Sequence, residues 1–289
     1  MSAVSVLKFV WTNPGNRGAR IRKLAGAFLW QLQKRLVRRP REMTLANGVR
    51  FVAHPDCVIS SSLHYSDWPE HAELQFCRRN LRPGQRVIDV GANVGHFSLL
   101  LADVAGPENL FCFEPMRTAW DRLVANFRIN EWSTSHLGNV AVGRSCGTVN
   151  FPNPDRPDTT TSISGPGSIG STVPVSMINL DSTVSQHPPG AVGLLKIDVE
   201  GYEREVFLGA AQFLTRTRPN FIMFESLSQH LDFEIAKILR EADYSVFQLE
   251  EDQTITFDRL DAQNLFAAPN ESQWMIQQTK PDGRLRGAG

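Results

Sequence analysis

With 289 residues, 42% of them hydrophobic, the chain can bury a substantial core as one domain with extensions, or as two domains at most. Four cysteines (57, 77, 112 and 146) without paired spacing, no Cys/His cluster and no apolar run of spanning length argue against a disulfide scaffold, a metal-binding cysteine cluster and a membrane span. The formal charge of zero hides a segregation: residues 1–41 hold ten Lys/Arg and no Asp/Glu, which leaves the remainder with 20 basic against 30 acidic residues, a formal −10.

The basic arm, residues 1–42, lacks the apolar core of a signal peptide. Ile21, Leu24, Ala25, Phe28, Leu32 and Leu36 recur in it at helical spacing, and Pro40 closes the segment. Such a helix suits an anionic membrane surface, where it would recruit the chain to a lipid-linked substrate; it equally suits docking on the acidic remainder of the chain or on a second subunit, with RNA a weaker fit. Residues 43–84 read as a hairpin, Thr44 to Ala53, around a two-residue Asn47-Gly48 turn, then a helix from Glu70 to Leu81 stopped by Arg82-Pro83-Gly84. From residue 85 to 280 strands and helices alternate. A β-branched strand, Val87–Val90, runs through a glycine turn into a helix over Phe97–Ala102, and Phe111–Phe113 is followed by a helix over Ala119–Asn130. Residues 152–171 form a Pro/Ser/Thr/Gly stretch, read as a lid bordering a substrate pocket or as a surface connection. The strand Leu194–Ile197, a helix over Glu203–Leu214, the strand Phe221–Phe224, a helix over Phe233–Ala242 and an antiparallel pair, Ser245–Leu249 with Thr254–Phe257, complete the domain. Residues 281–289 are expected to be a disordered tail.

The chemistry concentrates at strand ends. Asp89-Val-Gly91-Ala-Asn93-Val-Gly95 places glycines where a backbone must approach a ligand and a helix N-terminus faces it. The spacing is not the Gly-x-Gly-x-x-Gly of dinucleotide cradles. Some 25 residues beyond Asp89, Glu114 ends the second strand, where an acid accepts hydrogen bonds from ribose hydroxyls. Asp198 and Glu200 end the third apolar run and Glu225 the fourth. Open α/β sheets bind ligands at the carboxyl ends of their strands, so these acids are expected to converge on one crevice.

The blocks VIDVGANVGHFSLLLA, FEP, NVAVG, LKIDVEGYEREVFLGA and FE together resemble the FkbM family of class I S-adenosylmethionine-dependent methyltransferases, strongly over residues 85–227 and more loosely over 43–84 and 228–260. The resemblance implies a Rossmann-like α/β fold: a seven-stranded, mostly parallel sheet with an antiparallel last strand and helices on both faces. It also implies S-adenosylmethionine as cofactor. Asp89, Gly91, Asn93 and Gly95 would surround its methionine part, Glu114 would hold the ribose, and Asn139 to Gly143, Ala141 included, would lie near the adenine. Asp198, also a cofactor contact, and Glu200 would stand at the methyl-transfer side. O-methylation of a hydroxyl on a sugar, polysaccharide or secondary metabolite follows.

A hydroxyl acceptor needs a base or a metal within reach. Asp198 is the first candidate and Glu200 the second; Glu225, His96 and His230 follow, and magnesium on Asp198, Glu200 and Glu225 stays open, with Lys196 neutralising part of their charge. His64, Tyr65, Trp68 and Glu73 precede the first sheet strand as further cofactor or substrate contacts, and loops 55–72 and 152–171 are expected to set specificity. A catalytically silent cofactor-binding module is the alternative of another class. An NAD-dependent oxidoreductase lacks its glycine spacing here, and a nucleic-acid base methyltransferase lacks its Asn/Asp-Pro-Pro-aromatic stretch. The expected setting is cytoplasmic, with peripheral membrane contact through residues 1–41 and a homo-oligomer both open, and no nucleic acid.

Overall fold

The computed structural model describes residues 3–152, 172–227, 230–250 and 252–272. The expected lid and tail therefore lie outside the described residues, apart from Pro152. Two helices, α1 (Ala3–Thr12) and α2 (Arg20–Leu36), precede a hairpin of β1 (Arg41–Thr44) and β2 (Arg50–Ala53), followed by α3 (Val58–Tyr65) and α4 (His71–Asn80). Alternation then sets in with β3 (Arg86–Val90), α5 (His96–Ala105), β4 (Leu110–Phe113), α6 (Arg117–Ile129) and β5 (Leu137–Gly138). Strands β6 (Ala141–Val142), β7 (Gly147–Pro152) and β8 (Thr172–Ile178) form a separate three-stranded sheet. The chain returns through β9 (Val192–Ile197), α7 (Glu203–Leu208), α8 (Ala211–Arg216), β10 (Phe221–Glu225) and α9 (Phe233–Glu241) to β11 (Tyr244–Leu249), β12 (Ile255–Thr256) and β13 (Asn264–Pro269).

The central sheet runs β12-β11-β13-β10-β9-β3-β4-β5. Strands β5, β4, β3, β9 and β10 are parallel, and β13, the last in sequence, inserts antiparallel between β10 and β11. This is the mostly parallel sheet with an antiparallel last strand that the resemblance implies. The two-residue β12 makes an eighth strand at the edge. β9 and β10 are buried at every position because both faces are covered. Val87, Leu194, Phe221 and Met223 pack on one side with α4, α5, the hairpin and the N-terminal helices. Ile88, Leu195, Ile222 and Phe224 pack on the other with α7, α8 and α9.

Three local expectations are corrected. The hairpin closes through a three-residue loop: Leu45 N–H donates to the Val49 carbonyl (2.8 Å), Gly48 N–H donates to the Leu45 carbonyl (3.0 Å), and only Gly48 has positive φ (87°). A two-residue turn needs positive φ at Asn47 as well. Here Asn47 instead turns its amide onto α5, donating to the Leu99 carbonyl (2.8 Å) and to Asp103 Oδ1 (3.1 Å). The helix expected over Glu203–Leu214 is two, because Asp181 interrupts its ladder. Asp181 N–H donates to the Gly209 carbonyl (3.0 Å), while its Oδ1 accepts from Phe213 N–H (2.8 Å), the donor that a continuous helix would have given to Gly209.

The third correction concerns α2. It docks on α3, but through the face opposite the expected apolar stripe. Ala27 and Trp30 are buried, Trp30 Nε1 donates to Ser61 Oγ (3.1 Å), Lys34 Nζ donates to the same oxygen (3.0 Å), and Lys23 pairs with Asp67 (2.5 Å). Of the stripe only Leu24 is half-buried; Ile21, Ala25, Phe28, Leu32 and Leu36 face outward. All four cysteines are unpaired, with Cys146 exposed and the others buried.

Candidate active site

Strand β3 delivers the chain to a turn in which Gly91, Asn93 and Gly95 have φ of 81°, 52° and 85°. Glycine accepts this left-handed region freely, and asparagine is among the few side chains that tolerate it, which accounts for Asn93 in the middle of the motif. Gly91 and Ala92 N–H both donate to the Phe113 carbonyl (2.9 and 3.0 Å), binding the turn to the end of β4. A Cβ on Gly91 would stand 1.8 Å from the Asp198 carbonyl, so the ends of β3 and β9 touch backbone to backbone. Glu114 joins in from β4: its Oε2 accepts from Asn93 N–H and its Oε1 from Met116 N–H, both at 2.8 Å. Burial pushes the Glu114 carboxyl up to about 7, although those two donors pull the other way. Asn139 donates from Nδ2 to the Glu114 and Pro115 carbonyls (2.9 and 3.0 Å), holding the loop beyond β4, and Ala141 is buried in β6.

The parallel register sets the level of the site. Val90 pairs with Phe113 and Ile197, and Ile197 pairs with Phe224. The next residue on each strand is Gly91, Glu114, Asp198 or Glu225, so one glycine and three acids share one rim of the sheet. Alternation along the strands places all three acids on the side covered by α4 and α5. The acids expected at four strand ends are thus brought together, except Asp89. It lies two residues below the rim, fully buried, with Oδ2 accepting from Ser98 Oγ (2.7 Å) and Oδ1 3.4 Å from Lys196 Nζ.

Lys196, paired across the sheet with Asp89, is itself 2% exposed and donates to Asp198 Oδ2 (3.0 Å). Burial opposes its charge, but Asp198, Asp89 and Glu70 outweigh it and hold the ammonium above the usual lysine range. Beyond Asp198, Glu200 takes positive φ (54°); burial and then Asp198 raise its pKa. Glu203 holds this loop, its Oε1 accepting from Val199 N–H (3.0 Å) and Gly201 N–H (3.1 Å). On β10, Glu225 Oε1 accepts from Gln263 Nε2 (3.0 Å), while Oε2 is buried with no hydrogen-bond partner among the described residues. Burial, with like charge from Asp198, Glu200 and Glu203, pushes Glu225 up to about 7 against the pull of that amide.

The segment before β3 covers this rim. Glu70 Oε1 lies 3.1 Å from His96 Nε2, and the buried Nδ1 of His96 has no partner among the described residues. Burial opposes the Glu70 charge, but His96 and Lys196 outweigh it and keep its pKa below the usual range. Glu73 accepts from Asn264 Nδ2 (3.3 Å). His64 and Tyr65 stand elsewhere, in the seat of α2: the His64 ring meets Trp30 edge-on at 3.9 Å and the Tyr65 hydroxyl accepts from Gln31. Trp68 lies under the Arg78 guanidinium (4.9 Å), and His230 is exposed on the turn after β10. Among the described residues no three His, Cys, Asp or Glu side chains are grouped to hold a metal ion, so magnesium on Asp198, Glu200 and Glu225 gains no support. Glu70 and Glu203 were not singled out in the sequence. Neither has a local signal, whereas a lysine inside an apolar strand, as Lys196 is, marks a buried ion pair.

A family model of the methyltransferase FkbM domain matches residues 89–246. The hexuronic acid methyltransferase AglP of Haloferax volcanii is 28% identical over 174 residues, covering 59% of this chain and 69% of that protein. Among solved structures, a SAM-dependent methyltransferase from Agrobacterium tumefaciens aligns at 9% identity with a TM-score of 0.41, over 80% of this chain and 70% of the other. Precorrin-6y C5,15-methyltransferase from Geobacter metallireducens aligns at 12% identity with a TM-score of 0.38, over 69% and 86%. More than half of the chain, from Asp89 to within β11, thus fits one sequence family, and the protein belongs to it: the FkbM-domain methyltransferases.

Proposed function

We propose that the protein methylates a hydroxyl group of a saccharide, using S-adenosylmethionine. The observation that carries this reading is the shared rim of Gly91, Glu114, Asp198 and Glu225 within the family's matched span. The residues fit the cofactor: glycine at 91 lets the ends of β3 and β9 close backbone to backbone beneath the place a methionine moiety would take, and Glu114 holds a carboxyl group at the end of the neighbouring strand, where ribose hydroxyls would lie. Asn93 and Gly95 complete the turn, and Asn139 and Ala141 would border the adenine. When bound, S-adenosylmethionine supplies a methyl carbon on a sulfonium leaving group.

This chain's residues then divide the work. Asp89 anchors Lys196 and Ser98 from below. Lys196 donates to Asp198 and fixes it in place, as suits a carboxylate that would orient the acceptor and face a sulfonium. Glu225, raised to about 7 with Oε2 unclaimed, is matched to take the acceptor's proton near neutral pH. Glu200 borders the acceptor. His96, oriented by Glu70, is the second candidate base. Three acids on one rim favour a neutral acceptor over an anionic one. The name of the Haloferax volcanii relative supports a saccharide and brings a second reading, because a hexuronic acid also offers a carboxylate, which needs no base.

The test is transfer of radiolabelled methyl from S-adenosylmethionine to neutral and uronic oligosaccharides. Alkali-stable label marks a methyl ether and supports the hydroxyl reading; alkali-labile label marks an ester and supports the second. Glu225→Gln should lower turnover at saturating cofactor by roughly 10²–10⁴ while the variant still binds S-adenosylmethionine. Parental turnover in that variant would remove Glu225 as base. Cofactor binding without transfer to any acceptor would leave a silent module.

A further inference from the structure

Helix α2 is apolar on two opposite faces, and among the described residues only one of them has a partner. Trp30 and Ala27 fill the seat on α3. On the far side Ile21, Ala25, Phe28, Leu29, Leu32 and Leu36 follow one another at helical spacing. Ile21 is 81% exposed, Phe28 69%, Leu29 62% and Leu36 72%. On α1, Val4, Leu7 and Trp11 are exposed at the same kind of spacing. Single exposed apolar side chains are ordinary, but a continuous row marks a contact surface.

The charges around the row identify its partner. Exposed Arg22 and Arg35 border it, exposed Arg38, Arg39 and Arg41 follow the end of the helix, and residues 1–41 contain no acid. A second copy presenting the same face would set arginines against arginines. An apolar row flanked by cations instead complements a bilayer, whose acyl boundary takes the former and whose anionic headgroups take the latter.

We infer that α1 and α2 form a docking surface for an anionic phospholipid membrane, with α2 lying in the headgroup plane, outer row downward, and its Trp30 face carrying the rest of the chain. No described helix is long and apolar enough to cross a membrane, so the contact is peripheral. The inference is independent of the acceptor and of the transfer reaction.

The test is flotation of the full chain with vesicles of phosphatidylcholine alone or of equal parts phosphatidylcholine and phosphatidylglycerol. The chain should float with the anionic vesicles only, and added salt should weaken the association. Phe28→Ser with Leu32→Ser, both outside the α3 seat, should weaken partitioning by roughly tenfold or more, and Arg35→Glu with Arg39→Glu should do the same. Unchanged thermal unfolding of both variants would show that the fold is intact. No flotation with anionic vesicles, or equal flotation with both compositions, would overturn the proposal. So would a parental oligomer that Phe28→Ser with Leu32→Ser converts to monomer without any change in vesicle binding.

Discussion

An ammonium group in a protein interior costs several kcal/mol unless carboxylates meet it. Lys196 is met from below by Asp89 and from the rim by Asp198, with the Phe97 ring 5.5 Å from its nitrogen. Because Asp89 is fully buried, removing the cation leaves an uncompensated charge. Lys196→Met should therefore lower unfolding stability by about 3–5 kcal/mol in urea titrations. Asp89→Asn added to it should restore part of the loss, and a Lys196→Met chain as stable as its parent would refute this account. Residue types at the rim were legible in the sequence because glycines and acids at strand ends have few other reasons to be there. The depth of Asp89 was not, since a two-residue difference in level follows from register, which the neighbouring strands decide.

Helical period was readable for α2, yet the period does not say which of two apolar arcs is buried. Trp30 decides it, because its ring and its N–H both find partners on α3, in His64 and Ser61. The split between α7 and α8 was equally hidden, since it depends on Asp181, distant in sequence. The α2 seat also carries a pH dependence. Burial, then Arg41, Lys23 and Lys34, lower His64 to about 4 from an ordinary 6.5. Between those values the unfolded chain binds a proton that the folded seat refuses, so stability rises with pH and is lost as pH falls from about 6.5 toward 4. Limited proteolysis near the 20–36 helix should accelerate several-fold across that interval, and His64→Gln should flatten the response. Cleavage independent of pH in the parental chain would refute it.

Across the whole molecule, alternating strands and helices made the parallel sheet predictable, whereas β13 was not singled out. Its Asn-Leu-Phe-Ala-Ala-Pro carries little β preference and is a strand because β10 and β11 leave a fully buried slot between them. The shared rim has one more consequence. Glu114 and Glu225 both titrate near 7, so near neutrality the unliganded protein stores protons in its site. On the proposed reading, a sulfonium held over the rim would favour their ionised forms and expel those protons. Calorimetric titration of S-adenosylmethionine near neutral pH should then give an apparent enthalpy that varies with the buffer's heat of ionisation. The variation should correspond to a release on the order of one proton, shrinking in more acidic or more alkaline solution. The Glu114→Gln, Glu225→Gln double variant should bind with no buffer dependence from this source. Cofactor capture in this protein would then acidify its surroundings, and the ambient proton concentration would set the affinity of the site before any acceptor arrives.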